Sequence, residues 1–207
     1  MCPLPCRRQV VPVKRPQRGI VVSVAALVAG VGLAVATRPE GALPRVVQGI
    51  QVIDRPVCPA GYSRHAFGDE PNAATRAKAL LAKPGFAPLP TGTVWDAWQQ
   101  TTIPAASADI DHVRSLHSAW CAGGADMAIT NPARLRRFAA DPENLVPTLA
   151  TINRSKGDQD PDTWRPPTRG AWCDYAFRWL NVTRQYGLTA TRSQLRAVAA
   201  LIKTCPG

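Results

Sequence analysis

The chain has 207 residues, enough for about one ordinary domain, and this length excludes a large multidomain protein. Hydrophobic residues make up 45% of the chain and charged residues only 19%, a balance that excludes wholesale disorder. Lys and Arg number 25 against 14 acidic residues, a formal net charge of +11. The excess lies in the first 50 residues, where it suits membrane topology, and after residue 133, where it suits a polyanionic partner.

Residues 20–36 are apolar and uncharged, and basic residues precede them. The small residues Ala34-Val35-Ala36 end this segment. The pattern predicts either a cleaved signal peptide over residues 1–36 or an uncleaved membrane anchor whose N-terminus stays inside. In both cases the rest of the chain is exported. We therefore expect a secreted or membrane-anchored protein that contacts the membrane only through residues 20–36, and only if that segment is retained.

Four cysteines follow the apolar segment, and an even number suits disulfide bonds in an oxidising compartment. They are Cys58, Cys121, Cys173 and Cys205. Pairing Cys173 with Cys205 would join the ends of the last predicted helical pair and leave Cys58 with Cys121, but the sequence leaves the pairing open. The chain contains no C-x-x-C motif, so we do not expect a zinc site.

The exported part predicts a mixed α+β domain over residues 58–207, preceded by a proline-punctuated linker over residues 37–57 with one candidate strand at 46–53. Turn residues, helix caps and hydrophobic spacing divide the chain into further elements. In chain order these are a helix over 73–82 capped by Asn72, strand-like segments at 93–103 and 108–113, a helix over 133–140 begun by Asn131-Pro132, an extended segment over 144–150, a short helix after it, a helix over 172–186, and a last helix over 193–204 with a capping box of Thr191 and Gln194.

Three polar elements follow one another in the second half of the chain: Asp111-His112, then Asn144, then the run from Asn153 to Lys156. Together they resemble the HNH (ββα-metal) endonuclease superfamily, in particular its secreted members, and the same elements occur in the HNH module of RNA-guided CRISPR nucleases. The resemblance extends from about Gly61 to Cys205. It implies a small ββα-metal core with additional helices and hydrolysis of nucleic acid phosphodiester bonds.

The side chains in these elements suit that chemistry. Asp111 and Asn153 offer hard oxygen donors, so we expect them to bind one Mg²⁺ or Mn²⁺. His112, with an ordinary pKa of about 6.5, suits the role of general base. Because neighbouring side chains of a strand point to opposite faces, the Asp111-His112 pair must lie at a strand end or a bulge. The resemblance implies that Asn144 supplies the acceptor that orients the His112 ring.

Three cations are candidates for contact with the phosphate groups of a nucleic acid. Arg154 and Lys156 lie beside the predicted metal ligand Asn153. Arg64 occupies a position that resembles a recurrent one in the family.

We therefore expect an exported, metal-dependent endonuclease of low sequence specificity, acting on DNA in the first instance, with His112 as base and one divalent ion. The alternative is a non-catalytic basic extracellular module that binds DNA or an anionic wall polymer. A membrane-anchored toxin with an immunity protein as its partner would share the chemistry of the nuclease.

Overall fold

The structure of the protein, a computed structural model, describes residues 46–47, 49–68 and 92–206. These residues form short strands and helices in a mixed arrangement, which confirms the predicted α+β class. All of them belong to one unit, Glu40–Gly207. None of the helices they form is long and apolar enough to cross a membrane. The apolar segment 20–36 and the helix predicted over 73–82 lie outside the described residues.

The strands are short and form three small sheets in the described part of the chain, ordered β1-β2-β7, β3-β4 and β5-β6. The strands are β1 Val46–Val47, β2 Ile50–Ile53, β3 Thr93–Asp96, β4 Thr101–Pro104, β5 Ala108–His112, β6 Leu145–Leu149 and β7 Ala190–Thr191. The α-helices are α1 Leu116–Ala119, α2 Ala125–Thr130, α3 Pro132–Ala140, α4 Ala150–Lys156, α5 Trp172–Gln185 and α6 Arg192–Ile202.

Local capping chemistry sets where the predicted helices begin. The Asn131 side chain accepts a hydrogen bond from the backbone N–H of Arg134 at the start of α3, with Pro132 in the first turn. At α6 both hydrogen bonds of the capping box between Thr191 and Gln194 are present. Both predicted helix starts are confirmed. Each start depends only on side chains within one helical turn, which a local sequence pattern can identify.

The antiparallel pair β5-β6 carries the candidate site and is followed directly by α4. Asp111 lies opposite Val146, and His112 lies opposite Leu145. Helix α4 begins at Ala150, immediately after β6 ends. The chain therefore builds a two-stranded unit with a helix at its end, but joins the two strands through residues 113–144 rather than a tight turn.

Helix α5 contributes to both hydrophobic clusters of the described residues. Tyr175 and Trp179 are fully buried in one cluster, which also contains Trp98 from the turn after β3. Val182, near the end of the same helix, belongs to the second cluster together with Phe138 of α3. Since apolar burial is the dominant favourable contribution to folding, α5 stabilises both clusters, and with them the elements that carry the candidate site.

The candidate strand at 46–53, within the predicted linker over 37–57, is present as two short strands, Val46–Val47 and Ile50–Ile53. Strands β1 and β2 form an antiparallel pair around Gly49, whose φ of 82° suits glycine. Strand β2 also pairs in parallel with β7, with Val52 opposite Ala190. Ile50 is only 1% exposed, so burial of this side chain joins the segment to the folded unit.

Among the described residues two disulfide bonds are present, Cys58–Cys121 and Cys173–Cys205, the pairing that the last helical hairpin favours. Disulfides persist in oxidising compartments, so their presence is consistent with an extracellular location.

We expect the double substitution Cys173→Ser, Cys205→Ser to lower the free energy of unfolding by about 3–4 kcal/mol, since the bond closes a loop of 32 residues. Guanidinium unfolding of the oxidised wild type and the variant, followed by circular dichroism, measures this difference. A loss below about 1 kcal/mol would contradict the chain-entropy argument.

Candidate active site

The end of strand β5 presents acidic side chains to helix α4. Asp109 and Asp111 lie two residues apart and therefore share one face of the strand. On α4, Asn153 and Lys156 are three residues apart and share one face of the helix. The Asn153 Nδ2 atom donates to Asp109 Oδ2 at 2.6 Å, and the Lys156 Nζ atom donates to Asp111 Oδ1 at 2.9 Å. These two contacts fix the helix against the strand.

A small cavity of about 80 Å³ lies beside this contact. Asp111, His112, Asn153 and Arg64 all line it, so the structure brings together four of the seven predicted site residues. Asp158, for which no role was predicted, lines it as well. A cavity of this size has room for an ion with a few waters.

Asp111 is the most constrained carboxylate of the cavity, with only 3% of its surface exposed. Its Oδ1 atom accepts from Lys156, and its Oδ2 atom accepts from the indole Nε1 of Trp98 at 2.8 Å. Burial raises the pKa of the Asp111 carboxyl above its usual range, and the charge of Lys156 opposes that shift. The carboxylate is therefore held in one orientation by two donors.

Lys156 was expected to contact phosphate, and the structure corrects this prediction. Its side chain is completely buried, and its Nζ atom also donates to the backbone carbonyl of His112 at 2.7 Å. An ammonium group in this position has no path to a ligand outside the protein. Instead it binds the Asp111 carboxylate and the His112 carbonyl at the end of strand β5.

His112 ends strand β5, as the alternation of strand side chains required. Its Nε2 atom lies 2.9 Å from the carbonyl oxygen of Ala139. Because a carbonyl oxygen only accepts hydrogen bonds, we assign the ring proton to Nε2. In the neutral ring Nδ1 is then the nitrogen that carries the lone pair.

The acceptor at His112 Nε2 is the backbone carbonyl of Ala139, and not Asn144 as expected. The Asn144 Oδ1 atom accepts from the backbone N–H of Arg114 at 2.8 Å, and its Nδ2 atom donates to the carbonyl of Phe138 at 3.3 Å. Asn144 thus ties the end of β5 to the last turn of α3. The acceptor at His112 Nε2 is Ala139, the residue after Phe138, so Asn144 acts on the ring through this turn.

The two remaining predicted cations differ in position. Arg64 lies in a 3-10 helix, Arg64–Phe67, which the Ser63 side chain caps, and it lines the cavity. Arg154 is exposed in the last turn of α4 and is not among the residues that line the cavity. Arg64 is therefore the cation of the predicted set that lies at the cavity itself.

The donor set fits a hard divalent ion. Each carboxylate oxygen has two acceptor positions, so Asp111 retains capacity beyond its contacts with Lys156 and Trp98. Since Nδ2 of Asn153 donates to Asp109, the Oδ1 atom is the one that remains to ligate a metal ion. An acidic oxygen, an amide oxygen and room for water match the preference of Mg²⁺ or Mn²⁺. The nearby charge of Lys156 weakens such binding.

Several contacts of this site carry no clear sequence signal. Trp98 comes from the turn between β3 and β4, and Ala139 contributes only its backbone. Asp109 had a signal, because it lies two residues before Asp111 and must share its face.

Comparison with known proteins gives one relative of unknown activity. An uncharacterized secreted protein from Arthroderma benhamiae is 32% identical to this chain over 116 residues. The match covers 56% of this chain and 56% of that protein, so the chain spans about half the length of the curated relative it matches. No protein-family model matches the chain, and no solved structure matches it.

Proposed function

We propose that this chain is an exported, metal-dependent endonuclease of the HNH (ββα-metal) type, which hydrolyses nucleic acid phosphodiester bonds, with DNA as the first substrate to test. The observation that supports this proposal is the single cavity lined by Asp111, His112, Asn153 and Arg64 at the end of a strand-strand-helix unit. The two disulfides and the word "secreted" in the name of the relative support the export.

In the proposed reaction His112 is the general base. The Ala139 carbonyl holds Nε2–H, so Nδ1 takes a proton from the attacking water. The water oxygen forms a bond to phosphorus, the bond from phosphorus to the 3′ oxygen breaks, and that oxygen takes a proton from solvent. Arg64 binds the charged phosphate oxygens, and no base-reading contact is required, which gives low sequence specificity.

Asp111 and Asn153 would hold the divalent ion of this reaction. When bound, such an ion polarises the phosphate and stabilises charge on the leaving oxygen. The protein's own contribution is orientation, because Trp98 and Lys156 fix the Asp111 carboxylate, and Asp109 fixes the Asn153 amide.

We expect the purified full-length chain to convert supercoiled plasmid to nicked or linear DNA with Mg²⁺ or Mn²⁺ and not with EDTA. Asn153→Ala should lower the cleavage rate at least about tenfold, because it removes a metal ligand. The matched control is Asn181→Ala in helix α5. Asn181 is not among the residues that line the cavity, so this variant should cleave like the wild type. Folded wild-type chain that never cleaves in the presence of either ion would overturn the proposal.

The second candidate is a non-catalytic module for DNA or an anionic wall polymer. The guanidinium carbons of Arg165 and Arg169 lie 4.5 Å and 5.6 Å from the Trp172 ring, a basic and aromatic pair of contacts that suits a polyanion. This candidate predicts salt-sensitive binding in EDTA without cleavage. If the chain were a toxin with an immunity protein, it would cleave DNA, and a partner protein would bind it tightly and inhibit that cleavage.

A further inference from the structure

His117, five residues after His112, lies against two sulfur atoms. The His117 Nε2 atom lies 3.7 Å from Cys58 Sγ and 4.0 Å from Cys121 Sγ. The nearest ligand atoms of these three residues all lie within 4.8 Å of one another. His117 belongs to α1, and Cys121 follows it by four residues, so both side chains project from neighbouring helical turns.

The other ring nitrogen of His117 faces a carboxylate. Its Nδ1 atom lies 3.9 Å from Asp158 Oδ2, and the ring meets Tyr62 edge-on with the ring centres 5.0 Å apart. A histidine that binds a metal through one nitrogen is usually oriented by a carboxylate or carbonyl at the other. The direction of both nitrogens therefore agrees with metal binding through Nε2.

In the structure the two cysteines are joined as a disulfide, and a disulfide sulfur is not a thiolate ligand. A dithiol reductant can convert the bond to two thiols: it supplies two electrons and two protons and becomes a disulfide itself. A metal ion then replaces the two thiol protons. In an exported protein the reduced form exists before the chain reaches an oxidising compartment.

We propose that the reduced chain binds one Zn²⁺ through Cys58, His117 and Cys121. Exchange with another disulfide, which takes up the two electrons and becomes two thiols, then forms the Cys58–Cys121 bond and releases the ion. Zinc bonds of about 2.3 Å to sulfur and about 2.0–2.1 Å to nitrogen give tetrahedral edges of about 3.6 Å between nitrogen and sulfur. The two distances from His117 Nε2 to sulfur already lie near this value. Only the two sulfurs must separate, and water takes the fourth position.

This site differs chemically from the cavity beside Asp111. Two thiolates and an imidazole select zinc, whereas a carboxylate and an amide oxygen select a harder ion. The lack of a C-x-x-C motif does not bear on it, because the two cysteines come from separate segments. The zinc site stands independently of the proposed nuclease activity.

Cobalt titration of the full-length chain tests the proposal. The chain is reduced with dithiothreitol, desalted without oxygen and titrated with Co²⁺. One equivalent should produce the visible bands of tetrahedral cobalt and a thiolate-to-cobalt charge-transfer band, and Zn²⁺ should remove both. The oxidised chain should produce neither. His117→Ala should weaken the reduced site at least about tenfold and shift its spectrum.

The matched control replaces Cys173 and Cys205 with Ser, which leaves the proposed ligands intact and should leave the cobalt spectrum unchanged. Equal affinity and an equal spectrum for wild type and His117→Ala would overturn the proposal, because binding would then come from unspecific thiols. Cobalt binding that is lost in the control and kept in Cys58→Ser would overturn it as well.

Discussion

Replacing His112 with Ala should reduce metal-dependent DNA cleavage by about 100-fold or more, the usual contribution of a general base. The substitution removes an imidazole that lines the cavity, and with it the Nδ1 atom assigned to accept the proton of water. Initial rates of plasmid nicking under saturating metal measure the effect.

The control for this prediction is His65→Ala, since His65 is exposed and does not line the cavity. Added imidazole should restore part of the activity of His112→Ala, because the truncation leaves space next to the buried strand end. A His112→Ala variant that is folded by circular dichroism and cleaves at the wild-type rate would show that His112 is not the base.

Lys156→Met should lower the free energy of unfolding by about 3–5 kcal/mol at pH 7. The substitution leaves the Asp111 carboxylate buried without its cation, and it leaves the His112 carbonyl without a donor from this side chain. Lys203→Met is the matched control, because Lys203 is exposed and its loss should change stability by no more than about 0.5 kcal/mol.

The deficit of Lys156→Met should shrink in acid. Burial raises the pKa of Asp111 in the folded state, and removal of Lys156 takes away the opposing charge. A carboxyl whose pKa is higher in the folded state binds its proton more tightly there, so stability falls as pH rises above the unfolded value of about 3.9. Urea unfolding at pH 4 and pH 7 measures this slope.

A second substitution keeps the Lys156 prediction testable if the single variant does not fold. The double variant Asp111→Asn, Lys156→Met should be more stable at pH 7 than Lys156→Met alone, because no buried charge remains. Equal stability of the two would indicate that packing of the lysine stem, rather than the ion pair, is what the site requires.

The sequence predicted those parts of the site that depend on local chemistry. Strand alternation placed Asp111 and His112 at a strand end, and caps at Asn131 and Thr191 fixed two helix starts. The burial of Lys156 could not be read in this way, since a lysine on a short helix looks like a solvated charge. One signal existed: Lys156 lies three residues after Asn153 and must share the helix face directed at Asp111.

The role of Asn144 was harder to predict for a different reason. The carbonyl of Ala139 reaches His112 only because residues 113–144, between β5 and β6, fold back through three α-helices and shorter turns that return α3 to the strand end. Such a tertiary contact depends on the packing of Phe138 and its neighbours in the second hydrophobic cluster, which no local motif encodes. No local motif predicts that Asp158 lines the cavity either.

The parallel pairing of β2 with β7 makes completion of this sheet depend on residues that are synthesised long after β2. Val52 and Ile53 acquire their partners only when Ala190 and Thr191 are available. Until then β2 has an unpaired edge on this side, the kind of edge that invites pairing between different chains. A chain that lacks residues from 190 onward would therefore leave this edge of β2 exposed to pairing with other chains.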